Sequence, residues 1–248
     1  MADGHLRDLE RRDPSDVGAA AELLRARQRA GELSAAGLEA AASLGHPGAR
    51  AALVDPPPTL SSDAFFALAP SWGWEAVTRA LLAVALAPRN ARALAGYQSR
   101  LYRLALAAAL EALEAQDDDA RHGAHEAGQV DVPFVYARWR DSQEGLYALS
   151  AARAAAVRDR EDLTWTWSES LHAMLHASLL GVDADDPRWA LRYTPLAHDA
   201  VSTVAARLAR APALEGLLRA GATAWALAEP LPLRAAEVDA HLDALRGR

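Results

Sequence analysis

Apolar residues along the chain recur at spacings of three and four, in short runs punctuated by glycine and proline, a pattern that predicts helices almost throughout. Asp13-Pro14-Ser15-Asp16 ends a short first helix and caps a second, which runs to about Ala30 and stops at Gly31, a natural left-handed C-cap. Ser34 caps a third helix, Ala35 to Leu44, that stops at Gly45, and Pro47 opens a short fourth ending near Leu53. Ser62 or Asp63 caps the next, which carries Phe65, Phe66 and Leu68 and breaks at Pro70. Helices over Trp74 to Ala87 and Asn90 to Gln116 follow, joined at Pro88-Arg89. The second of these is long and apolar on two sides, with Leu94, Tyr97, Leu101, Leu104 and Ala108 on one stripe and Leu106, Leu110 and Leu113 on another. That arrangement predicts a central helix. Helical pattern returns from Pro133 to about Val157 and from Asp162 to Leu180. After the acidic turn Asp183 to Pro187 and a short Trp189 segment it resumes over Pro195 to Arg210, Pro212 to Ala228 and Leu233 to Leu245.

The expected fold is all-α, a multi-helix bundle or an irregular α-solenoid-like array with a small N-terminal helical hairpin module over residues 1–54. A Pro-rich linker, residues 55–62, begins with Asp55-Pro56-Pro57-Pro58, where three prolines force an extended path. Residues 63–248 form the main helical domain. Within it, 117–131 is polar, carries two glycines and has no period, which predicts a mobile acidic loop.

Composition sharpens this picture mainly by exclusion. About a quarter of the chain is alanine, all 26 basic residues are arginine, isoleucine is absent and asparagine occurs once, at Asn90. A GC-rich coding sequence produces such a bias, which points to a bacterial source and makes the all-arginine set poor evidence of phosphate recognition. Without cysteine there is no disulfide framework, thiolate metal site or thiol nucleophile. Without lysine there is no Schiff base and no P-loop lysine. The net charge of -7 argues against nucleic-acid binding, and Arg25, Arg27 and Arg29, the densest basic patch, do not share a helix face. The longest apolar run, Ala80 to Ala87, is far short of the roughly 20 residues a bilayer crossing needs. With no apolar core of a signal peptide near Met1, the expected location is cytoplasmic, with no membrane partner.

The stretch Glu22-Leu23-Leu24-Arg25-Ala26-Arg27-Gln28-Arg29-Ala30-Gly31-Glu32-Leu33, followed by Leu38, Ala41, Leu44-Gly45-His46-Pro47, Ala49 and Ala52-Leu53, carries one resemblance. Residues 15–53 resemble an N-terminal helical segment that recurs in uncharacterised proteins of high-GC bacteria. No function travels with that resemblance. As a packing module, it makes Gly31 and Gly45 turns and His46 a surface residue.

Candidate chemistry is sparse. Glu169, His172 and His176 lie three and four apart, so on a helix they converge on one face and could hold a divalent metal. The Glu-x-x-His spacing occurs once, where a di-iron bundle needs it twice, and Ala173 stands where a zincin places its glutamate base. Alternatively, the two histidines flank a core stripe. Asp117-Asp118-Asp119 with His122, His125 and Glu126 is a second cluster of possible ligands, on a stretch read as solvated. No Gly-x-Ser-x-Gly elbow, Gly-x-Gly-x-x-Gly or Walker loop occurs.

Tryptophan is the informative residue, with seven against three phenylalanines. Trp72 and Trp74 form one pair and Trp165 and Trp167 another. Two residues apart on a helix means about 200°, so one member can face the core while the other faces a second surface. Trp139, between Arg138 and Arg140, invites a cation–π contact. These rings either fill volume that alanines leave empty or form an interface. The expected function is a non-enzymatic helical protein that binds another protein or copies of itself, as adaptor, scaffold, immunity-type or regulatory component, with no cofactor. One alternative is a helical metal- or small-ligand-binding protein built on Glu169, His172 and His176. The other is a self-assembling structural protein.

Overall fold

Helix starts and stops follow the side chains that satisfy orphan backbone groups. A computed structural model of the chain describes residues 16–87, 106, 109–113, 115, 117–127, 143–157, 160–179 and 212–229. Asp16 accepts the amide protons of Gly18 (2.8 Å) and Ala19 (3.2 Å) and starts α1, Val17–Ala30, which ends on Gly31 at φ 79°. Ser34 accepts from Gly37 N–H at 2.9 Å and starts α2, Ala35–Ser43. His46 caps α3, Pro47–Ala52. Ser61, one residue ahead of the expected cap, accepts from Ala64 N–H and starts α4, Ser62–Leu68. A 3-10 turn, Ala69–Trp72, carries the chain through Pro70 to Gly73. There φ is 98°, a conformation that glycine tolerates best, and α5, Trp74–Ala85, begins at the next residue.

Further along the chain lie α6, Asp118–Ala127, α7, Gln143–Ala155, α8, Arg160–Leu179, and α9, Pro212–Ala226. The fold is all-α, and no strand occurs among the described residues. One difference from expectation is α6, which occupies most of the stretch 117–131 that reads as an irregular acidic loop. The reason is capping: Asp117 accepts Ala120 N–H at 2.7 Å, and aspartates beside a helix N-terminus complement its partial positive charge. Of the long helix expected over 90–116, residues 106 and 109–113 are helical, with Leu106 and Leu110 buried and Leu113 packed on the core. Its other stripe, together with Trp139, Trp189 and the segments 195–210 and 233–245, lies outside the described residues.

Helix α5 is buried nearly all round. It packs most extensively against α9 and α7, and α7 in turn packs on α8. The apolar run Ala80 to Ala87 is therefore a core helix wrapped by neighbours. Its one buried polar side chain, Thr78, donates to Ala152 O of α7 at 3.4 Å. Small residues set the spacing between helices. A Cβ placed on Gly221 of α9 would lie 2.6 Å from Ala80 Cα and closer still to the Arg79 carbonyl oxygen of α5. One on Gly48 of α3 would lie 2.8 Å from Ala20 Cβ of α1, and one on Gly37 of α2 would run into the Ala226 carbonyl oxygen of α9.

Arginines bind the elements to one another through backbone carbonyls. Arg25 donates to Ala51 O and, at 2.9 Å, to Ala52 O, closing the C-terminal end of α3. Arg50 donates to Pro57 O at 2.7 Å and Thr59 Oγ1 at 3.2 Å, and Leu60 N–H donates to Ser43 O at 2.8 Å. The three-proline stretch is thus pinned as an extended strap along α2 and α3. Arg219 of α9 holds its far end through Leu60 O at 3.0 Å, and Arg219 in turn pairs with Glu215 at 2.7 Å.

Two further arginines meet where α9 ends. Arg27 donates to Leu227 O at 3.0 Å and to Glu229 Oε1 at 3.3 Å, while Arg79 donates to Glu229 O at 2.8 Å. The end itself is a Schellman closure, with Ala228 N–H donating to Trp225 O at 3.0 Å and Glu229 N–H to Ala224 O at 2.8 Å. Its left-handed position holds Ala228, at φ 50°, rather than glycine. That conformation costs a non-glycine residue about 1–2 kcal/mol, and glycine gives back about 0.5–1 through its freer unfolded chain. Ala228→Gly is expected to stabilise the protein by about 0.5–1 kcal/mol. Urea unfolding checks it, as a higher midpoint at unchanged slope.

Candidate functional site

Among the described residues, the tryptophans separate into packed rings and one exposed ring. On α8, Trp167 is 2% exposed and Trp165 is 61% exposed, the split expected of residues two apart on a helix. Trp167 lies against Phe66 (ring centroids 5.9 Å, stacked) and Phe65 (6.1 Å, edge-on). Its Nε1–H donates to Phe66 O at 3.2 Å. That bond has a local cause. In an unbroken helix the Phe66 carbonyl would accept from residue 70, which is proline and has no N–H, and the amide of Ala69 is already bonded to Phe65 O.

The pair Trp72 and Trp74 behaves differently from expectation, because Gly73 breaks the helix between them. Trp72, in the 3-10 turn, stacks on Trp225 of α9 at 5.8 Å and packs on the core. Trp74, on the first residue of α5, has the Arg121 guanidinium 4.5 Å over its ring. Both are half-buried.

Trp165 marks the outward side of α8. Leu163, Thr166, Trp167, Ser170, Leu171 and Met174 are buried and define its inward stripe. At about 100° per residue, positions 165, 169, 172 and 176 fall within roughly 60° of one another, on the opposite side of the helix from that stripe. Glu169, His172 and His176 are therefore placed in register with Trp165 rather than with the buried positions of α8. Their side chains lie outside the described residues, as do those of His125 and Glu126. Among the described residues no group of three or more His, Asp or Glu side chains is placed to hold a metal ion.

A second feature is an open cleft of about 350 Å³ between the α2–α3 turn and α9. Its polar lining is His46, Arg219, Thr223 and Glu229, with Leu44, Gly45, Gly216, Ala220 and Ala224 completing the walls. His46, expected on the surface, is half-buried and works as a cap: its Nδ1 accepts Ala49 N–H at 3.1 Å. An accepting Nδ1 fixes the neutral tautomer with the proton on Nε2. Burial lowers the imidazole pKa from its ordinary 6.5, and the Glu229 carboxylate partly opposes that shift. The sequence contains the signal for this role, a residue three positions before Ala49 and directly ahead of Pro47, but histidine is not a preferred cap.

No helix among the described residues is long and apolar enough to cross a membrane. Comparison of the chain with protein-family models, with curated proteins and with solved structures finds no match.

Proposed function

We propose that this chain is a non-enzymatic helical interaction protein that binds a protein partner through the outward side of α8, centred on Trp165. The observation that carries the reading is the 61% exposure of Trp165, while Trp72, Trp74, Trp167 and Trp225 are all engaged in packing. A large ring held in water on a rigid helix offers apolar area that gains little inside the monomer. Tryptophan is also the side chain most enriched among residues that dominate binding energy. Exposed Thr164 and Ser168 border it, so the ring stands on a polar rim suited to a surface that closes and reopens.

Trp165→Ala tests the reading. The stability of the variant is expected to stay within about 0.5 kcal/mol of wild type, since the side chain is mostly in water. Binding is expected to fall by at least about 2 kcal/mol, roughly thirtyfold in Kd. The measurement is differential recovery of partners from the native host by wild-type and variant protein. Light scattering over a range of concentrations is run beside it, because the partner could be a second copy. A wild type that is monomeric at every concentration, with a partner set unaltered by the variant, overturns the proposal.

A further inference from the structure

The residue that caps α3 carries a titratable acceptor, and three observations bear on what that does. First, the other described side-chain caps, Asp16, Ser34, Ser61 and Asp117, accept through hydroxyl or carboxylate oxygens. His46 caps through imidazole Nδ1, which is an acceptor only while the ring is neutral. Second, α3 has six residues, too few to persist as a helix without its ends being satisfied. Its ends are tied by His46 at one side and by Arg25 at the other. Third, α3 anchors other elements, since its Arg50 holds the proline strap at Pro57 and Thr59.

We propose that His46 is a proton-operated latch: the neutral ring caps α3, and the protonated ring leaves Ala49 N–H and turns to the Glu229 carboxylate across the cleft. Protonation places an N–H on Nδ1, facing the N–H of Ala49, so donor meets donor and the cap is lost. It also puts a positive charge at the N-terminal end of α3, where the helix dipole opposes it. Five charged groups surround the ring or its new partner, and one of them, Arg79 of α5, is held on the Glu229 backbone carbonyl at 2.8 Å. Glu229, past the end of α9, attracts the imidazolium. Arg27 of α1 is bonded to Glu229 at 3.3 Å and competes for it. Arg219 of α9 lines the same cleft but is held by Glu215 at 2.7 Å. Arg50 of α3 is engaged on the strap. Acid therefore trades a bond within the N-terminal helices for an ion pair between the α2–α3 turn and the end of α9. One wall of the cleft and the hold on the strap are rearranged together.

The sign of the pH dependence follows from the direction of the shift. With the folded pKa below the ordinary 6.5, the unfolded chain takes up the proton first. The stabilisation from His46 is complete above 6.5 and is lost as pH falls through the lowered folded value.

Nuclear magnetic resonance of the full chain tests the latch, with the His46 ring and the Ala49 amide followed between about pH 8 and pH 5. The expected result is a His46 midpoint below 6.5 and about a fivefold loss of Ala49 amide protection across that midpoint, after correction for intrinsic exchange. His46→Asn supplies a cap that does not titrate, so Ala49 protection stays flat over the same range. Glu229→Gln moves the His46 midpoint lower still, because the attracting charge is gone. A His46 midpoint at or above 6.5, or Ala49 protection that ignores the titration in wild type, overturns the proposal. The wild-type titration decides the matter even where a variant folds poorly.

Discussion

Trp167→Ala is expected to destabilise the protein by about 3–5 kcal/mol, the cost of emptying a buried aromatic site that cannot collapse. Against a typical total of about 5–15 kcal/mol this removes a large share of stability. The site is enclosed by Phe65 and Phe66 on α4, and the indole also supplies the hydrogen bond that Pro70 withholds from Phe66 O. The two contributions are separable. Trp167→Phe keeps most of the packing but leaves that buried carbonyl without a donor, for an expected cost of about 1–3 kcal/mol. Denaturant unfolding of the two variants at equal slope gives the comparison, and a Trp167→Phe protein as stable as wild type would show that water or a local shift satisfies Phe66 O.

Gly221→Ala is expected to cost about 1–3 kcal/mol, although alanine is the better helix former by about 1 kcal/mol. The added methyl meets backbone atoms of Arg79 and Ala80, which move only if α5 and α9 separate along their length. Gly216 lies on the same helix with nothing within 4 Å of a Cβ, and the identical change there is expected to stabilise by about 0.5–1 kcal/mol. Thermal unfolding reads both, at about 2–4 °C per kcal/mol for a chain of this size. Opposite signs from one substitution on one helix isolate the interhelical contact from propensity. Equal signs would remove the close approach of α5 and α9 as a structural constraint.

Local signals in the sequence specify much of this fold. Asp16, Ser34, Gly31, Gly45 and Pro47 act through atoms within a few residues, and each sits at the helix end it announces. The split between Trp165 and Trp167 was equally legible, because helical period alone sets it. What was hidden depended on partners distant in sequence or on one backbone angle. Gly73 at φ 98° takes Trp72 out of the helix of Trp74, which period cannot reveal. The stretch 117–131 reads as loop because its aspartates are polar, yet aspartate at the first turn is a helix-starting residue. His46 reads as a surface residue because the wall that half-buries it, including Glu229, comes from the opposite end of the described chain. Arg25 and Arg27 share a short basic run but serve different masters, one closing α3 and the other the end of α9. The register of Trp165 with Glu169, His172 and His176 was present in the spacing. Choosing which side of α8 faces inward required the burial of Leu163, Trp167, Leu171 and Met174.

The helix contacts at Gly37, Gly48 and Gly221 also bear on how this chain can drift under mutation. Glycine and alanine codons differ by a single base, so alanine is among the nearest neighbours of every glycine in this alphabet-poor sequence. At most exposed helical positions that step is harmless or helpful. At these three contacts a methyl would meet a facing helix, so the easiest substitution is also a costly one. The sequence can therefore exchange small residues freely over its surface while its interhelical spacing stays held by positions that must remain bare.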